Sequence, residues 1–387
     1  MLREALIAVI WTTLLLLPVR GASSGEVDSA SRSAIQIDQQ KGLAQPQVAI
    51  DAKGVIHVVY GRAETVYYAA SADGGRHFSK PVEAFDCRNM SLGMRRGPRL
   101  AISGETAVVT AIGGEQGKGR DGDVQAWHRE ADGKWSGPVQ VNDVTGAARE
   151  GLHGMAAGSD GTVWCVWLDL REPGTKVYAA RSVDGGRTWG RNILVYRSPE
   201  KSVCECCHPS VVVGPGKRVT VLFRNSVGGK RDMYVASSSD GETFSSAAPV
   251  SSRTWKLAAC PMDGGMVALT SKGDGWTIYR RDKQVFLTPL ADAGSRRQDA
   301  GENLLGAGDQ PTVAALATGP LSVWTNSDDL MMKGPGDESP RRVATGARFA
   351  SVASDPAGEL AAIVWEEKTR DQPGTIIRLN VVPAATR

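Results

Sequence analysis

VWCVWLDLREPGTKVYAARSVDGGRTW, residues 163–189, decides the fold. An apolar run, Val163 to Leu168, breaks at Pro173-Gly174 and resumes from Lys176 to Ser182. β-Branched and aromatic residues fill both runs and turn residues part them, so the pair reads as an antiparallel hairpin. Ser182-Val183-Asp184-Gly185-Gly186-Arg187-Thr188-Trp189 then makes a second turn. Its Ser and Asp side chains can hydrogen-bond the turn backbone, and its glycines supply φ > 0.

The same unit recurs along the chain. Second strands read VIHVVY, VWCVWL, TVLFR, WTIYR, LSVWT and AAIVWE, with aromatics at Tyr60, Trp167, Phe223, Tyr279, Trp324 and Trp365. A weaker copy, TAVVTAIGG, puts Ile112 at the same point, and successive marks lie 41 to 56 residues apart. A first strand precedes each (PQVAI, PRLAI, HGMAA, PSVVV, GMVAL, PTVAA, FASVA), and a third follows, as in TVYYAAS or KVYAARS. Fourth strands are clear in the first four units and faint later. Short strands repeating at this period predict an all-β fold, a β-propeller of four-stranded blades. Seven blades are expected, or six if the short fifth and sixth units merge. The last unit lacks a fourth strand, but Ser33-Ala34-Ile35-Gln36-Ile37-Asp38 resembles the fourth strand at residues 137–142. This N-terminal strand is expected to complete the last blade and close the ring.

The turn at Ser182–Trp189 matches the Asp-box pattern S-x-D-x-G-x-T-W, and Ser71–Phe78 and Ser238–Phe244 are near copies. Their Asp73, Asp184 and Asp240 fall in phase with the strand repeat. On these residues the chain resembles the sialidase-like Asp-box (BNR-repeat) propeller superfamily over roughly residues 33–382. The resemblance implies that the boxes are structural and lie away from the functional face. One carboxylate per turn, used by the turn itself, speaks against metal binding there.

Composition agrees. With 45 Gly and 19 Pro in 387 residues, long helices are disfavoured. A 41% hydrophobic content and balanced charge exclude a disordered chain. A net charge of +3 gives no reason to expect nucleic acid as a partner. Met1–Arg3 and the apolar run to Pro18 read as a secretory signal peptide over residues 1–22, followed by a polar lead-in, 23–32, and the propeller domain, 33–387. The expected product is exported, periplasmic or extracellular, a monomer, and free of the membrane once the signal is cleaved.

In a propeller, the loops leading into the inner strands and leaving the second strands open on one face around the channel, where ligands bind. The inner-strand positions here include Gln45, Arg95, Arg96, Arg99, His153, Cys206, Cys207, His208, Cys260, Asp263, Asp309, Gln310 and Arg348. The second-strand exits add Arg62, Asp169, Arg171, Arg224, Glu366 and Glu367. From these, Arg99, His153, Asp169, Arg171, His208, Arg224 and Arg348 are the ligand-binding candidates, because several guanidinium groups can grip an anion. Against the resemblance, the F/Y-R-I-P motif of sialidases is missing, and no tyrosine of the C-terminal units stands at a mouth position. No catalytic residue is therefore assigned.

Cys204, Cys206, Cys207 and Cys260 form the sharpest cluster. Cys206 and Cys260 lie 54 residues apart, one blade period, so their segments should lead into adjacent blades. For an exported protein, disulfides are the first expectation, with Cys260 joined to the cluster and the remaining pairing open. A soft-metal site with His208, His153 or Met262 is the alternative; no cofactor or metal is assigned. The leading functional expectation is a binding module for an anionic glycan or a protein surface. The others are a secreted exo-glycosidase of sialidase type and a periplasmic soft-metal protein.

Overall fold

The computed structural model describes residues 34–290, 301–369 and 374–384; the expected signal peptide and lead-in lie outside the described residues. The described residues form seven four-stranded antiparallel sheets, six of them with their strands in chain order, and no α-helix. Blades 1 to 6 span residues 44–86, 99–140, 153–196, 210–249, 266–307 and 309–345, and blade 7 begins at 347. The faint fourth strands of units five and six are Asn303–Ala307 and Arg341–Thr345. Ile35–Gln40 pairs antiparallel with Thr375–Pro383, Ile35 facing Leu379, and so completes blade 7. No helix among the described residues is long and apolar enough to cross a membrane.

Blade-to-blade packing explains the sequence pattern. A second strand lies inside its sheet, with a neighbouring blade against each face, so it reads as a continuous apolar run. Every residue of Val163–Asp169 is buried. The marker aromatics sit in the seams with the preceding blade. Trp365 packs with Leu321, Val323 and Leu330 of blade 6, Trp324 with Ile278 and Leu287 of blade 5, and Tyr60 with Val364 and Ile377 of blade 7. Blade 2 differs, since Ile112 turns to blade 3 and joins Trp167. The seam with blade 1 is filled instead by Trp127, stacked on Phe85 at 4.1 Å.

The three S-x-D turns fasten the same seams. In blade 3, Asp184 Oδ1 accepts bonds from Ser182 Oγ (2.7 Å) and the Thr188 backbone N–H (2.9 Å), and the Gly186 N–H donates to Ser182 Oγ (2.9 Å). Asp73 and Asp240 accept equivalent bonds. Gly186 has φ +82°, and a Cβ there would stand 2.6 Å from Val108 Cγ1 of blade 2. Gly75 makes the same close approach to Val381 of blade 7. In the turns of blades 1 and 3 the second glycine, Gly75 or Gly186, is thus a docking contact as well as a backbone requirement.

Gly185 and Gly186 both have positive φ, but a Cβ at Gly185 meets only the mobile end of Arg187 and the side chain of Thr106 at 3.6 Å. Gly185→Ala is expected to cost about 1 kcal/mol, and Gly186→Ala about 2–3 kcal/mol because it also overpacks the seam. The shift in urea midpoint measures the difference; equal shifts would remove the docking role.

Candidate functional site

On the mouth face, each blade sends the start of its inner strand toward the channel. Inner strands of blades 1, 6 and 7 begin with register shifts at Ala44/Gln47, Asp309/Thr312 and Arg348/Ser351. Gln45, Gln310 and Phe349 in these bulges have positive φ, as do Arg95 and Met262 ahead of blades 2 and 5. Such strained positions persist only where surrounding contacts hold them.

Those contacts are hydrogen bonds between blades. Arg95 reaches across the ring: Nε donates to Gln310 Oε1 (2.5 Å), Nη2 to Gln310 O (2.5 Å) and Nη1 to Ala350 O (2.8 Å). Gln310 N–H donates to Asp263 Oδ2 (2.9 Å), and Gln45 N–H to Glu366 Oε1 (2.7 Å). Arg99 donates to the carbonyls of His153 (3.0 Å), Pro98 (2.9 Å) and Arg95. Arg224 binds Asp263 O through Nε (3.1 Å) and Nη2 (3.0 Å), and also donates to Arg231 O (2.6 Å) and Arg280 O (2.9 Å).

The structure therefore brings Arg99, His153, His208 and Arg224 together beneath the mouth, with Arg99 and Arg224 donating to backbone carbonyls. Arg348 stands at the rim, 43% exposed, its Nε 3.0 Å from Glu366 Oε2. Asp169 and Arg171 lie apart, at the blade 2–3 seam. Arg171 Nε and Nη2 grip Asp169 (2.9 and 3.0 Å), Nη1 binds Asp143 (2.8 Å), and the guanidinium covers Tyr178 at 3.9 Å. Trp167 Nε1 also donates to Asp169 (2.8 Å), so this pair completes a local network.

His153 and His208 are buried. His153 Nε2 contacts Thr110 Oγ1 (3.0 Å), whereas its Nδ1 and both nitrogens of His208 have no partner. Burial, reinforced by Arg99 at His153 and by Arg95, Arg99 and Arg224 at His208, lowers both imidazoles well below the usual histidine range. Burial acts oppositely on the mouth carboxyls, raising Asp263, Asp309 and Glu366.

Cys206 and Cys260 are joined by a disulfide that links the approaches to blades 4 and 5. Cys204 and Cys207 remain thiols, 3.5 Å apart. Cys87 and Cys165 are buried free thiols, pushed up to about 12 by desolvation, as suits inert core residues.

Sequence reasoning missed a basic groove between blades 4 and 5. The loop after Ala248–Pro249 folds back onto blade 4, where Arg231 N–H donates to Trp255 O (2.8 Å) and Trp255 N–H to Asp232 Oδ1 (2.7 Å). Arg224 and Arg280 lie over the Trp255 ring at 5.4 and 5.5 Å. Arg281 is held by Glu302 (Nη2–Oε2 2.7 Å) and covers Phe286. Arg253 is 75% exposed and only 3.9 Å from its nearest carboxylate, Glu302. Arg253, Lys256 and Arg281, with the carboxylates Asp282 and Glu302, help line a concavity of about 660 Å³. The signal was present: Arg253, Trp255 and Lys256 crowd one long loop.

No protein-family model matches the sequence, and no curated protein is significantly similar to it. Solved structures do match in shape. An α-L-arabinanase of Penicillium chrysogenum with bound arabinobiose aligns at TM-score 0.55 and 13% identity, over 91% of this chain and 98% of its own. A polysaccharide lyase, an ulvan lyase bound to a GlcA–Rha3S saccharide, aligns at 0.55 and 13%, over 90% and 96%. A Hadza microbial sialidase aligns at 0.52 and 13%, over 90% and 68%. These likenesses show the fold, a β-propeller.

The buried histidines give a pH dependence. Below the ordinary histidine pKa of about 6.5, the unfolded chain binds protons that these imidazoles refuse when folded. Their contribution to stability is complete above that pH and falls as pH drops, by up to about 1.4 kcal/mol per pH unit for each. The raised carboxyls act in the opposite sense, so the readout is a comparison. Between pH 6 and 5, His208→Gln protein should lose about 1 kcal/mol less than the wild type in urea unfolding. Parallel losses would mean that His208 is protonated in the fold.

Proposed function

We propose that this chain is an exported, glycan-binding Asp-box propeller that holds an anionic saccharide in the basic groove between blades 4 and 5. The observation that carries it is the contrast between two sets of guanidinium groups. Arg95, Arg99 and Arg224 are buried and donate to carbonyl oxygens, whereas Arg253 projects from the groove with only a long 3.9 Å contact to Glu302 and Lys256 is exposed beside it. A carboxylate or sulfate group offers such side chains the charge-assisted bonds that the fold leaves unmade. The fold neighbours named above act on saccharides, one of them bound to a uronate- and sulfate-bearing one. The signal-like N-terminus and the disulfide fit an extracytoplasmic setting.

A second reading, glycoside hydrolysis, draws on Asp309. This half-exposed carboxyl at the mouth is raised by burial, as a general acid requires, and stands 3.9 Å from Arg280 Nη1. Binding is preferred because the neighbouring Asp263 and Glu366 are engaged by backbone N–H groups.

Titration calorimetry with sulfated and uronate oligosaccharides, alongside neutral arabino-oligosaccharides, tests the proposal. Only the anionic ligands should bind, more weakly at high salt, and Arg253→Ala/Lys256→Ala should lose about tenfold or more in affinity. Equal binding of neutral sugars, or no effect of the double substitution, overturns it. Turnover that disappears in Asp309→Asn favours the hydrolase.

A further inference from the structure

Neither the propeller scaffold nor the glycan reading uses the sulfur cluster. The Sγ atoms of Cys204, Cys206 and Cys207 form a nearly equilateral triangle, with edges of 3.5 Å (204–207), 3.7 Å (204–206) and 3.9 Å (206–207). Sulfurs sharing one ion at the usual metal–thiolate distance of about 2.3 Å stand about 3.8 Å apart in a tetrahedron and about 4.0 Å apart in a trigonal plane. The triangle is thus close to a metal-binding spacing already. A fourth sulfur, Cys260, is attached to one corner.

The setting suits a soft ion. Cys204 and Cys207 are buried, and the Cys204 backbone N–H donates to Arg224 O (3.0 Å), which ties the cluster to blade 4. Three sulfurs with no carboxylate oxygen among them form a ligand set for Cu(I) or Zn(II), not for Mg²⁺ or Ca²⁺. The positive charge of Arg224, fixed by its carbonyl partners, acts on both Cys204 and Cys207 and offsets the net negative charge of a metal–thiolate centre.

We propose that Cys204, Cys206, Cys207 and Cys260 form a redox-gated site for a soft d¹⁰ cation, Cu(I) or Zn(II), closed by the Cys206–Cys260 disulfide. While that bond stands, Cys206 cannot act as a thiolate and only two thiol ligands remain. A dithiol reductant opens the gate: it gives two electrons and two protons to the S–S bond, leaves as its own disulfide, and frees two thiols. Cu(I) then displaces three protons to give a three-thiolate centre of net charge −2. Zn(II) displaces four, taking Cys260 as its fourth ligand, to the same net charge.

The full chain is reduced with dithiothreitol, freed of it anaerobically, and titrated with Cu(I) or Zn(II) against a chromophoric chelator of each. Reduced wild type should bind one equivalent, and the oxidised protein none with comparable affinity. Cys260→Ser, which frees Cys206 permanently, should bind Cu(I) without prior reduction but hold Zn(II) weakly. Cys204→Ser and Cys207→Ser should each lose more than about 100-fold, beyond the cost of losing an outer-shell partner, whereas Cys87→Ser should not. Equal binding before and after reduction, or unchanged binding in Cys204→Ser and Cys207→Ser, overturns the site. Should those variants fail to fold, X-ray absorption of the copper-loaded wild type decides: a sulfur-only shell supports the proposal and a nitrogen or oxygen shell refutes it.

Discussion

One buried cation governs the mouth of this propeller. Arg95 leaves the approach to blade 2 and is satisfied on the far side of the ring by the carbonyls of Gln310 and Ala350 and the amide of Gln310. Burying a guanidinium is costly unless its donors and charge are matched. Asp263, Asp309 and Glu366 supply opposite charge, and the three bonds tie the approach to blade 2 to blades 6 and 7. Gln310 passes the constraint to Asp263, Arg224 passes it from Asp263 to blade 4, and Glu366 passes it to Gln45 of blade 1. The left-handed residues of the inner-strand bulges are held in place by this chain of bonds.

Features that depend on neighbours within one blade were legible in the sequence. Strand order, the aromatic period and the Ser–Asp turns arise from contacts a few residues apart or from one repeated seam. Even the closing strand could be read, because Ile35–Gln40 resembles an internal fourth strand. Ile112 marks the limit: its place in the repeat could be read but not the blade it packs against, because a β-strand residue faces one of two neighbours and Trp127 fills the seam with blade 1.

The mouth was legible in position and not in role. Arg99 and Arg224 stand where the repeat places them, yet their partners are carbonyl oxygens, and side-chain identity says nothing about where backbone acceptors point. The long-range partners of Arg95 lie more than two hundred residues away in sequence. Asp169–Arg171 is the converse: two residues apart, they pair with each other and leave no charge for a ligand. The Cys206–Cys260 bridge was among the pairings that the blade period allowed, and the structure selects it.

The strand that completes blade 7 comes from the opposite end of the chain, Ile35 lying against Leu379. Six blades can each assemble from a local stretch as it emerges, but the seventh waits for both termini. Ring closure is therefore a late event of high contact order, reached only when the whole polypeptide is present. Until then Thr375–Pro383 has an unpaired edge, and the first strand of another copy could occupy it. Correct assembly then depends on a chain meeting its own beginning before it meets a neighbour's, a competition set by local concentration during biogenesis.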